Sequence, residues 1–474
     1  MIKENKGITL VALVITIIVM MILVAVSVTV ALDGGLFGTA KKAASETELR
    51  AEEEMLLSSI MGAIGRDGKV ELENLKLPDG FIKITDEICK SPSGNIFSVT
   101  ENGEIINGTN GVIPVTEEEL TEGLKIAIDE GKVDKVVKEI KDGKELRAVI
   151  PAGFQVSTKK GENTISGGLV ISDADGNEFV WVPCATDVND INGLTLYAQD
   201  KKYNGKDGKQ YKYAEYSDWK DEGGDFDSVS KYGGFYVGRY EAGIPNNAPF
   251  YANTNGAEYK VKDGTTNLRN TTSYIPVSKA RQPSWNYIDQ VNAKIVSEKM
   301  YSSSKSVKSS LIDSYAWDTI ANWLASENSE IVKNGSNYGN YLDSRVSATD
   351  LLYATYKYNY STWLFLSGPK NYQKETVNIP ARIGSGEQTL YEIATGSMEN
   401  TKILNIYDLL GNMWEWTTEV GHYDAGSDAT EYAVRRGGSF YTVGSESIVT
   451  RFGSAASSHP EFMNGFRVVL YIKL

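Results

Sequence analysis

Cysteine and histidine carry much of the redox, metal and acid/base chemistry of proteins, and this chain of 474 residues has two of each. Cys89 and Cys184 lie far apart, form no CxxC pair and lack the spacing of a zinc site. A single bridge between their sulfurs stays open as an alternative. His422 and His459 leave little material for a histidine-based metal centre.

Carboxylates are more abundant, but their spacing points to no catalytic pair. Asp424 and Asp428 could form a carboxylate couple for hydrolysis, yet their loop composition is typical of solvated residues. The chain contains no GxSxG elbow, no Walker loop and no HExxH motif. Hydrolase, nucleotide-binding and zinc-peptidase chemistry therefore have no support in the sequence.

The net charge is -14, and no run of Lys or Arg is long enough to follow a phosphate backbone. We therefore expect no nucleic acid partner. The acidic balance fits a soluble outer surface and is compatible with calcium sites. The length exceeds that of one typical domain, so two or more folded units are expected.

An apolar segment lies close to the N-terminus. Lys3 and Lys6 precede Gly7, and no charged residue occurs from Ile8 to Leu32. A helix of this length, rising ~1.5 Å per residue, can cross a hydrocarbon layer of ~30 Å. Because the positive residues favour a cytoplasmic N-terminus, we expect a single-pass anchor in the cytoplasmic membrane with the later domains outside the cell.

The stretch from Lys6 to Val14 resembles the cleavage and methylation motif of type IV prepilins. In that family a prepilin peptidase cuts after the glycine, here between Gly7 and Ile8, and the apolar helix remains. Ala12 stands where the family usually has a glutamate, and this disfavours efficient polymerisation. The resemblance implies prepilin peptidase as a partner, and pilus or pseudopilus subunits as further partners.

The next segments should hold the C-terminal part away from the membrane. We predict a stalk helix from Thr39 to Ile64 and a β hairpin in which Phe97–Val99 pairs with Glu104–Ile106. The apolar stripe of the helix consists of Leu49, Leu56, Ile60 and Ile64. A capping box at Thr116–Glu119 predicts a helix that ends near Gly131, and a second helical run is predicted from Val133 to Ile140.

From about residue 148 the chain becomes rich in Gly, Tyr and Trp. Val170–Ile171 and Phe179–Pro183 flank a turn and predict a hairpin, and Gly234–Glu241 predicts a strand. Helices are predicted near Trp285–Tyr301 and Ser314–Ser326, and the chain beyond Tyr341 is predicted to be mostly irregular. The predicted fold class is α+β. The predicted domains are a leader with a transmembrane helix (1–32), a stalk helix with a β module (33–114), a helical connector (115–145) and a C-terminal domain (146–474).

Four stretches share residues with a known family: Gly234–Glu241, Tyr315–Asp318, Tyr407–Trp416, and Arg436–Phe440 with the closing Gly465–Arg467. In this order they resemble the sulfatase-modifying-factor (formylglycine-generating-enzyme-like) domain, a variant of the C-type lectin fold. In formylglycine-generating enzymes, two cysteines after the RGGS motif bind copper and oxidise a substrate cysteine. Thr442 and Ser447 stand at those places, and hydroxyls cannot replace thiolates for Cu(I). We therefore expect no copper and no oxidase activity.

The resemblance also implies a calcium ion at the YDxxGNxWE stretch. Its ligands would be the Asp408 and Glu415 carboxylates and the Gly411 and Met413 carbonyls, an oxygen-only set that suits this cation. Two structural roles remain open for the acids: Asp408 capping a turn and Glu415 pairing with an arginine.

Other residues of these motifs have structural roles. Trp414 and Trp416 alternate with Glu415, as in a half-buried strand. The pair Gly437–Gly438 permits a backbone that a side chain would block. Arg467 should make a buried ion pair or carbonyl contacts.

The segment between Ser439 and Gly465, here called the window (residues 440–464), mixes small polar and aromatic residues as recognition surfaces do. The predicted ligand surface consists of Tyr441, Thr442, Val443, Ser445, Ser458, His459, Phe462 and Met463. RGGS followed by a terminal GFR resembles the variable proteins of diversity-generating retroelements, in which selected codons of this window are hypermutated.

The sequence favours a cell-surface or pilus-associated, adhesin-like protein that binds an extracellular protein or glycan. One alternative is an enzyme of the sulfatase-modifying type with a non-standard site. Another is a minor pilin or pseudopilin of an assembly system.

Overall fold

A computed structural model describes most of the chain beyond residue 49. The described ranges are 50–83, 88–93, 96–99, 103, 105–108, 112–141, 144–159, 161–184, 202–204, 210–212, 226–249, 268–344, 346–359, 364–367, 373–379, 387–422, 431–445, 447–454 and 460–474. The predicted cleavage site at Gly7 and Ile8 and the predicted membrane helix lie outside them. Within these ranges, no helix is both long and apolar enough to cross a membrane. The chain divides into two compact units, Met1–Gly111 and Val112–Leu474.

The first unit combines a helix, α1 (residues 50–61), with a small antiparallel sheet. Its strands follow one another in space as in sequence: β1 (Ile82–Lys83), β2 (Ile88–Lys90), β3 (Ile96–Val99) and β4 (Ile105–Gly108). The pairing of β3 with β4 confirms the predicted hairpin.

The apolar stripe of α1 explains how the helix packs. Leu56 and Ile60 are buried beside Phe97 of the sheet, as the periodicity predicts. The helix ends before Ile64, however, because this residue forms an isolated β-bridge with Val70. Ile64 is therefore exposed, and the predicted helix end is wrong by one turn. Leu49, the remaining stripe residue, lies outside the described ranges.

The segment predicted as a helical connector lies in the second unit and contains one helix and most of a β hairpin. The first elements of this unit are β5 (Ile113–Pro114), α2 (Glu122–Asp129), β6 (Val133–Lys141) and β7 (Lys144–Pro151). The predicted capping box is present, but it closes a single 3-10 turn at Glu117–Glu119. The Thr121 hydroxyl caps α2, which ends before Gly131 as predicted.

The predicted helical run Val133–Ile140 is wrong, since this segment is strand β6. The β-branched Val133, Val136 and Val137 are buried, and β-branched side chains favour strands. Strand β7 pairs with β6 along its length and supplies the hydrogen bonds that a helix would have made internally.

The remaining strands of this unit are β8 (Gln155–Val156), β9 (Val170–Ser172), β10 (Glu178–Pro183), β11 (Lys202–Asn204), β12 (Gln210–Lys212), β13 (Gly234–Gly238), β14 (Val307–Leu311), β15 (Val346–Asn359), β16 (Leu364–Ser367), β17 (Gln373–Ile379), β18 (Glu387–Ile393), β19 (Trp414–His422), β20 (Glu431–Arg436), β21 (Arg451–Ser454), β22 (Asn464–Phe466) and β23 (Val468–Ile472). Its other helices are α3 (Phe226–Tyr232), α4 (Gln290–Lys299) and α5 (Ser314–Glu327). The β9–β10 hairpin, strand β13 and both later helices confirm the predictions made for them.

The largest sheet of this unit has the order β14-β23-β13-β10-β9-β8 and is antiparallel throughout. The C-terminal strand β23 therefore lies inside the sheet. All five of its residues are buried, as expected for a strand covered on both faces. This position brings the motif just before β23 into the interior of the fold.

Beyond Tyr341 the chain forms two further sheets, so the predicted irregular structure is wrong there. Strand β15 pairs with β16, β17 and β18, and a second sheet has the order β21-β20-β19-β22. The alternation of apolar and polar residues that reveals a strand was hard to detect, because β19 is buried on both faces at Trp414, Glu415 and Trp416. The predicted half-buried strand at these residues is therefore wrong.

Candidate functional site

The YDxxGNxWE stretch and the closing GFR motif meet in the interior of the second unit. Arg467 Nε donates to Glu415 Oε2 at 2.9 Å, and Nη2 donates to Oε1 at 2.6 Å. The same guanidinium donates to the carbonyl oxygens of Gly238 and Tyr407, each at 2.9 Å. This arrangement confirms the predicted buried contacts of Arg467, and it joins β13, β19 and the segment before β23.

Two further carboxylates lie in this region. Asp408 accepts from the Gly396 amide at 2.6 Å and from the Thr401 hydroxyl at 2.7 Å. Glu241 accepts from the Asn412 side-chain amide at 2.8 Å, and from two further donors, Ser284 Oγ and Met413 N. Burial raises the pKa of Asp408, Glu415 and, most strongly, Glu241, whose pKa the other two negative charges raise further.

The two carboxylates of the predicted calcium site interact with each other electrostatically but accept hydrogen bonds from protein donors. Asp408 is held by Gly396 and Thr401, and both oxygens of Glu415 face Arg467. Among the described residues, no group of three His, Cys, Asp or Glu side chains could hold a metal ion. These bonds do not favour calcium, because the ion would compete with the donors of both carboxylates and Arg467 already supplies Glu415 with a positive charge. Calcium binding stays a prediction of the family resemblance alone, and these hydrogen bonds argue against it.

The glycine pair just before the window makes a turn that other residues would resist. Gly437 and Gly438 have φ of +89° and +79°. A Cβ on Gly437 would lie 2.8 Å from the Leu409 carbonyl oxygen. This turn confirms the predicted role of the pair and directs the chain from β20 into the window.

Four buried charges hold the two strands that flank the first part of the window. Arg436 of β20 donates to Asp318 of α5 at 2.5 Å and to Glu419 of β19 at 3.3 Å. Arg451 of β21 bonds the same two acids, with Nε 2.9 Å from Glu419 Oε1. These four residues, here called the charge ring, have side chains no more than 2 % exposed. Because Arg451 is a window residue, the window is anchored at its middle.

The main chain of the first half of the window is held from outside. The Thr442 carbonyl accepts from the Leu342 amide at 2.8 Å, and the Gly444 carbonyl accepts from the Gly335 amide at 2.7 Å. The Gly444 amide donates to Asp343 Oδ1 at 2.8 Å. These bonds fix the backbone without using any side chain of the window.

The second half is held in the same way. Its carbonyls accept from groups outside the window: Glu461 from Tyr287 N (3.0 Å), Phe462 from Asn286 Nδ2 (2.7 Å) and Met463 from Trp414 N (2.8 Å). Asn286 is fully buried and also donates to Tyr356 and Glu392, so its amide is oriented by other parts of the fold.

An aromatic cluster joins the two ends of the window. The rings of Tyr441 and Phe462 lie 5.8 Å apart, and Phe440 lies 5.8 Å from Phe462. Tyr356 of β15 stacks on Phe440 with 5.3 Å between centroids. The partly buried Val443 side chain also packs against this cluster. These ring contacts join the described ends of the window to each other and to strand β15.

Residues 357–472 match the family model of the sulfatase-modifying factor enzyme 1-like domain. The match supports the resemblance drawn from the motifs, for the part of the chain that includes the window. It covers a part of the predicted C-terminal domain, which begins near residue 146. No curated protein matches the chain.

Within residues 357–472, the described members of the predicted ligand set are partly or fully exposed. Tyr441, Thr442, Val443, Phe462 and Met463 are partly exposed, and Ser445 is exposed. Ser458 and His459 lie outside the described ranges, as do Asp424 and Asp428.

The two positions aligned with the oxidase cysteines hold hydroxyls that bond to the protein. Thr442 Oγ1 accepts from the Ser439 amide at 2.9 Å, and the buried Ser447 donates to the Val332 carbonyl at 2.7 Å. Cys89 and Cys184 are both free thiols. Burial raises the pKa of Cys89 to about 11 and also raises that of Cys184, which makes both thiols weak nucleophiles.

Sequence reasoning missed several residues of this site. Asn286 and Tyr356 lie between the family motifs in the chain, Arg435 directly precedes the RGGS motif, and Phe452 lies in the window. The Arg435 guanidinium lies over the Phe452 ring, with 4.7 Å to the centroid. The run of tyrosines around Tyr356 was the available signal, because aromatic residues are frequent in both cores and binding surfaces.

Proposed function

We propose that this protein is a surface-anchored ligand-binding protein that presents the window as its recognition surface. The observation that carries the proposal is the way the window is held. Thr442, Gly444, Glu461, Phe462 and Met463 are fixed through main-chain groups. A surface held in this manner keeps its shape when exposed side chains change, which is what adaptable recognition requires.

The side chains on this surface suit binding. Tyr441 and Phe462 supply partly exposed aromatic area, and Ser445 supplies an exposed hydroxyl. Aromatic residues give large contact areas at a low cost in side-chain entropy. The proposed ligand is an extracellular protein or glycan.

The anchoring part of the proposal rests on the sequence. The uncharged stretch from Ile8 to Leu32 is suited to hold the chain in the cytoplasmic membrane with the window outside. Release into a pilus is disfavoured by Ala12. The experiment is to label intact cells that express the full chain with an antibody against the second unit, with and without added protease. Surface labelling that protease removes supports the anchor, and labelling only after permeabilisation contradicts it.

Hypermutation of the window is a further part of the proposal, motivated by the RGGS and GFR boundaries. Gene sequences from related isolates test it directly. Differences concentrated between codons 440 and 464 support a variable display protein. Differences spread evenly along the gene remove this part of the proposal and leave ligand binding standing.

A second candidate is an enzyme of the sulfatase-modifying type, which the family match at residues 357–472 favours. Against it, hydroxyls replace both copper-binding thiols, at Thr442 and Ser447. The full chain should neither bind Cu(I) nor convert a cysteine peptide in the presence of oxygen. Oxygen-dependent conversion of that peptide would establish the enzyme instead.

The binding function itself is tested with the full chain on a panel of glycans and surface proteins. Saturable binding to a member of the panel, abolished by prior unfolding of the protein, supports the proposal. If no glycan or surface protein from the natural environment of the protein binds saturably, the result argues against the proposal.

A further inference from the structure

Arg435 is a buried cation at the edge of the window that none of the family motifs explains. It lies on β20, in register with Trp416 of β19 and Phe452 of β21. Its guanidinium lies 4.7 Å from the Phe452 centroid and 5.6 Å from the Trp414 ring. The side chain is only 6 % exposed. Two aromatic rings therefore replace much of the water that would otherwise solvate this charge.

The polar partners of Arg435 are few. Nη1 donates to Glu461 Oε2 at 2.6 Å and also bonds the side-chain oxygen of Asn464. Nε has no hydrogen-bond partner within the described ranges. Burial lowers the pKa of Arg435, and the Glu461 charge opposes this effect. One carboxylate thus supplies the counter-charge of a nearly dry guanidinium.

Glu461 is the outer member of this pair. Its side chain is 38 % exposed, whereas Arg435 lies beneath it. The Glu461 backbone does not depend on the carboxylate, because its carbonyl accepts from Tyr287 N and from Asn464 N. The carboxylate can therefore leave Arg435 by rotation of the side chain, without displacement of the main chain.

The pair also crosses the boundary of the window. Arg435 belongs to the strand that precedes the window, and Glu461 belongs to the window itself. In a display protein, residue 461 would be open to change while Arg435 stays. The identity of residue 461 would then decide whether the guanidinium is covered by the chain or offered to a ligand.

We propose that Arg435 is the anchor of a carboxylate-binding subsite that Glu461 fills from within the chain. A ligand carboxylate, from an acidic peptide or an acidic sugar, takes the place of the Glu461 side chain. Arginine suits this role because it stays charged when buried and binds carboxylates through its forked donors. The biological role rests on the proposed function, but anion binding at Arg435 is testable without it.

The test is chemical rescue of Glu461→Gln in the full chain. Glutamine keeps the size of the side chain and removes its charge, so Arg435 loses its counter-ion. The probe is acetate, compared with chloride at equal ionic strength, and the readout is the thermal midpoint. The double variant Arg435→Met/Glu461→Gln supplies the baseline for general effects of acetate, since methionine can pack on Trp414 and Phe452. The matched control is Glu330→Gln, which removes an exposed pair with Lys333.

The subsite predicts that acetate raises the midpoint of Glu461→Gln by on the order of 2 °C more than that of the double variant. Wild type and Glu330→Gln should respond as the double variant does. An equal response in Glu461→Gln and the double variant overturns the proposal. If Glu461→Gln does not fold in chloride, folding in acetate supports the subsite and failure in both salts overturns it.

Two further probe molecules, tested in the same way as acetate, identify the source of the carboxylate. Acetyl-aspartate amide and glucuronate replace acetate in the same comparison. A larger rise with the first indicates an acidic peptide as the ligand, and a larger rise with the second indicates an acidic sugar. Failure of the rescue leaves binding by the rest of the window intact, so the subsite and the proposed function fail separately.

Discussion

Arg467 and Glu415 form a two-point ion pair, with the guanidinium Nε and Nη2 facing both carboxylate oxygens and neither side chain more than 1 % exposed. The pair joins the GNxWEW and GFR motifs, which lie far apart in the sequence. Its position explains why these motifs occur together: each supplies a charge that the other must neutralise.

Replacement of Arg467 by lysine should destabilise the second unit strongly. Lysine cannot donate at once to Glu415 and to the carbonyls of Gly238 and Tyr407, so buried acceptors lose their donors. We expect a loss of about 3–5 kcal/mol in the free energy of unfolding, measured with urea. The control Arg147→Lys changes a half-exposed residue and should cost less than about 1 kcal/mol. Equal losses in the two variants would contradict this role.

The charge ring should behave as one unit. Arg451→Met leaves Asp318 and Glu419 with one arginine between them, and Asp318→Leu leaves the opposite imbalance. The double variant should lose less stability than the sum of the single losses, by about 0.5–3 kcal/mol in a double-mutant cycle. Strict additivity would mean that the four charges act independently.

Gly444 is a window position that should resist change. A Cβ there would lie 2.0 Å from Ser336 Oγ and 2.4 Å from the Ser336 amide nitrogen. Gly444→Ala should therefore cost about 1–3 kcal/mol through overpacking. The neighbouring Ser445 is exposed, and Ser445→Ala should change the free energy of unfolding by less than about 0.5 kcal/mol. A window that tolerates both changes equally would not have the anchored backbone described above.

Removal of calcium should leave stability unchanged. Both carboxylates of the predicted ligand set already face protein donors: Asp408 faces Gly396 and Thr401, and Glu415 faces Arg467. We expect the same thermal midpoint in EDTA and in millimolar calcium. A midpoint that rises with calcium and falls with chelator would establish the ion and require these side chains to rearrange.

Local patterns predicted several elements correctly. The hairpin at Val170–Pro183 followed from its turn, and the helix at Ser314 followed from its apolar spacing. The helix predicted from Val133 to Ile140 was wrong, because pairing with β7 rather than local propensity decided between helix and strand.

The four family motifs contain the buried residues that hold the site together, and Arg467 was predicted to make buried contacts. Its partner was not evident, because a pair between β19 and the segment before β23 depends on the path of the whole chain. The role of Arg435 could not be predicted either. Its burial comes from Phe452 and Trp414, which meet it only when β19, β20 and β21 are aligned.

In the proposed function, the exposed side chains of the window determine ligand binding, whereas buried ion pairs such as Arg467–Glu415 determine stability. The most direct measurement compares wild type with a triple variant, Tyr441→Ser, Ser445→Tyr and Met463→Ser, in the full chain. We predict that affinity for at least one bound ligand changes by tenfold or more, about 1.4 kcal/mol, while the thermal midpoint moves by less than about 3 °C. An unchanged binding profile in a folded triple variant would contradict the account.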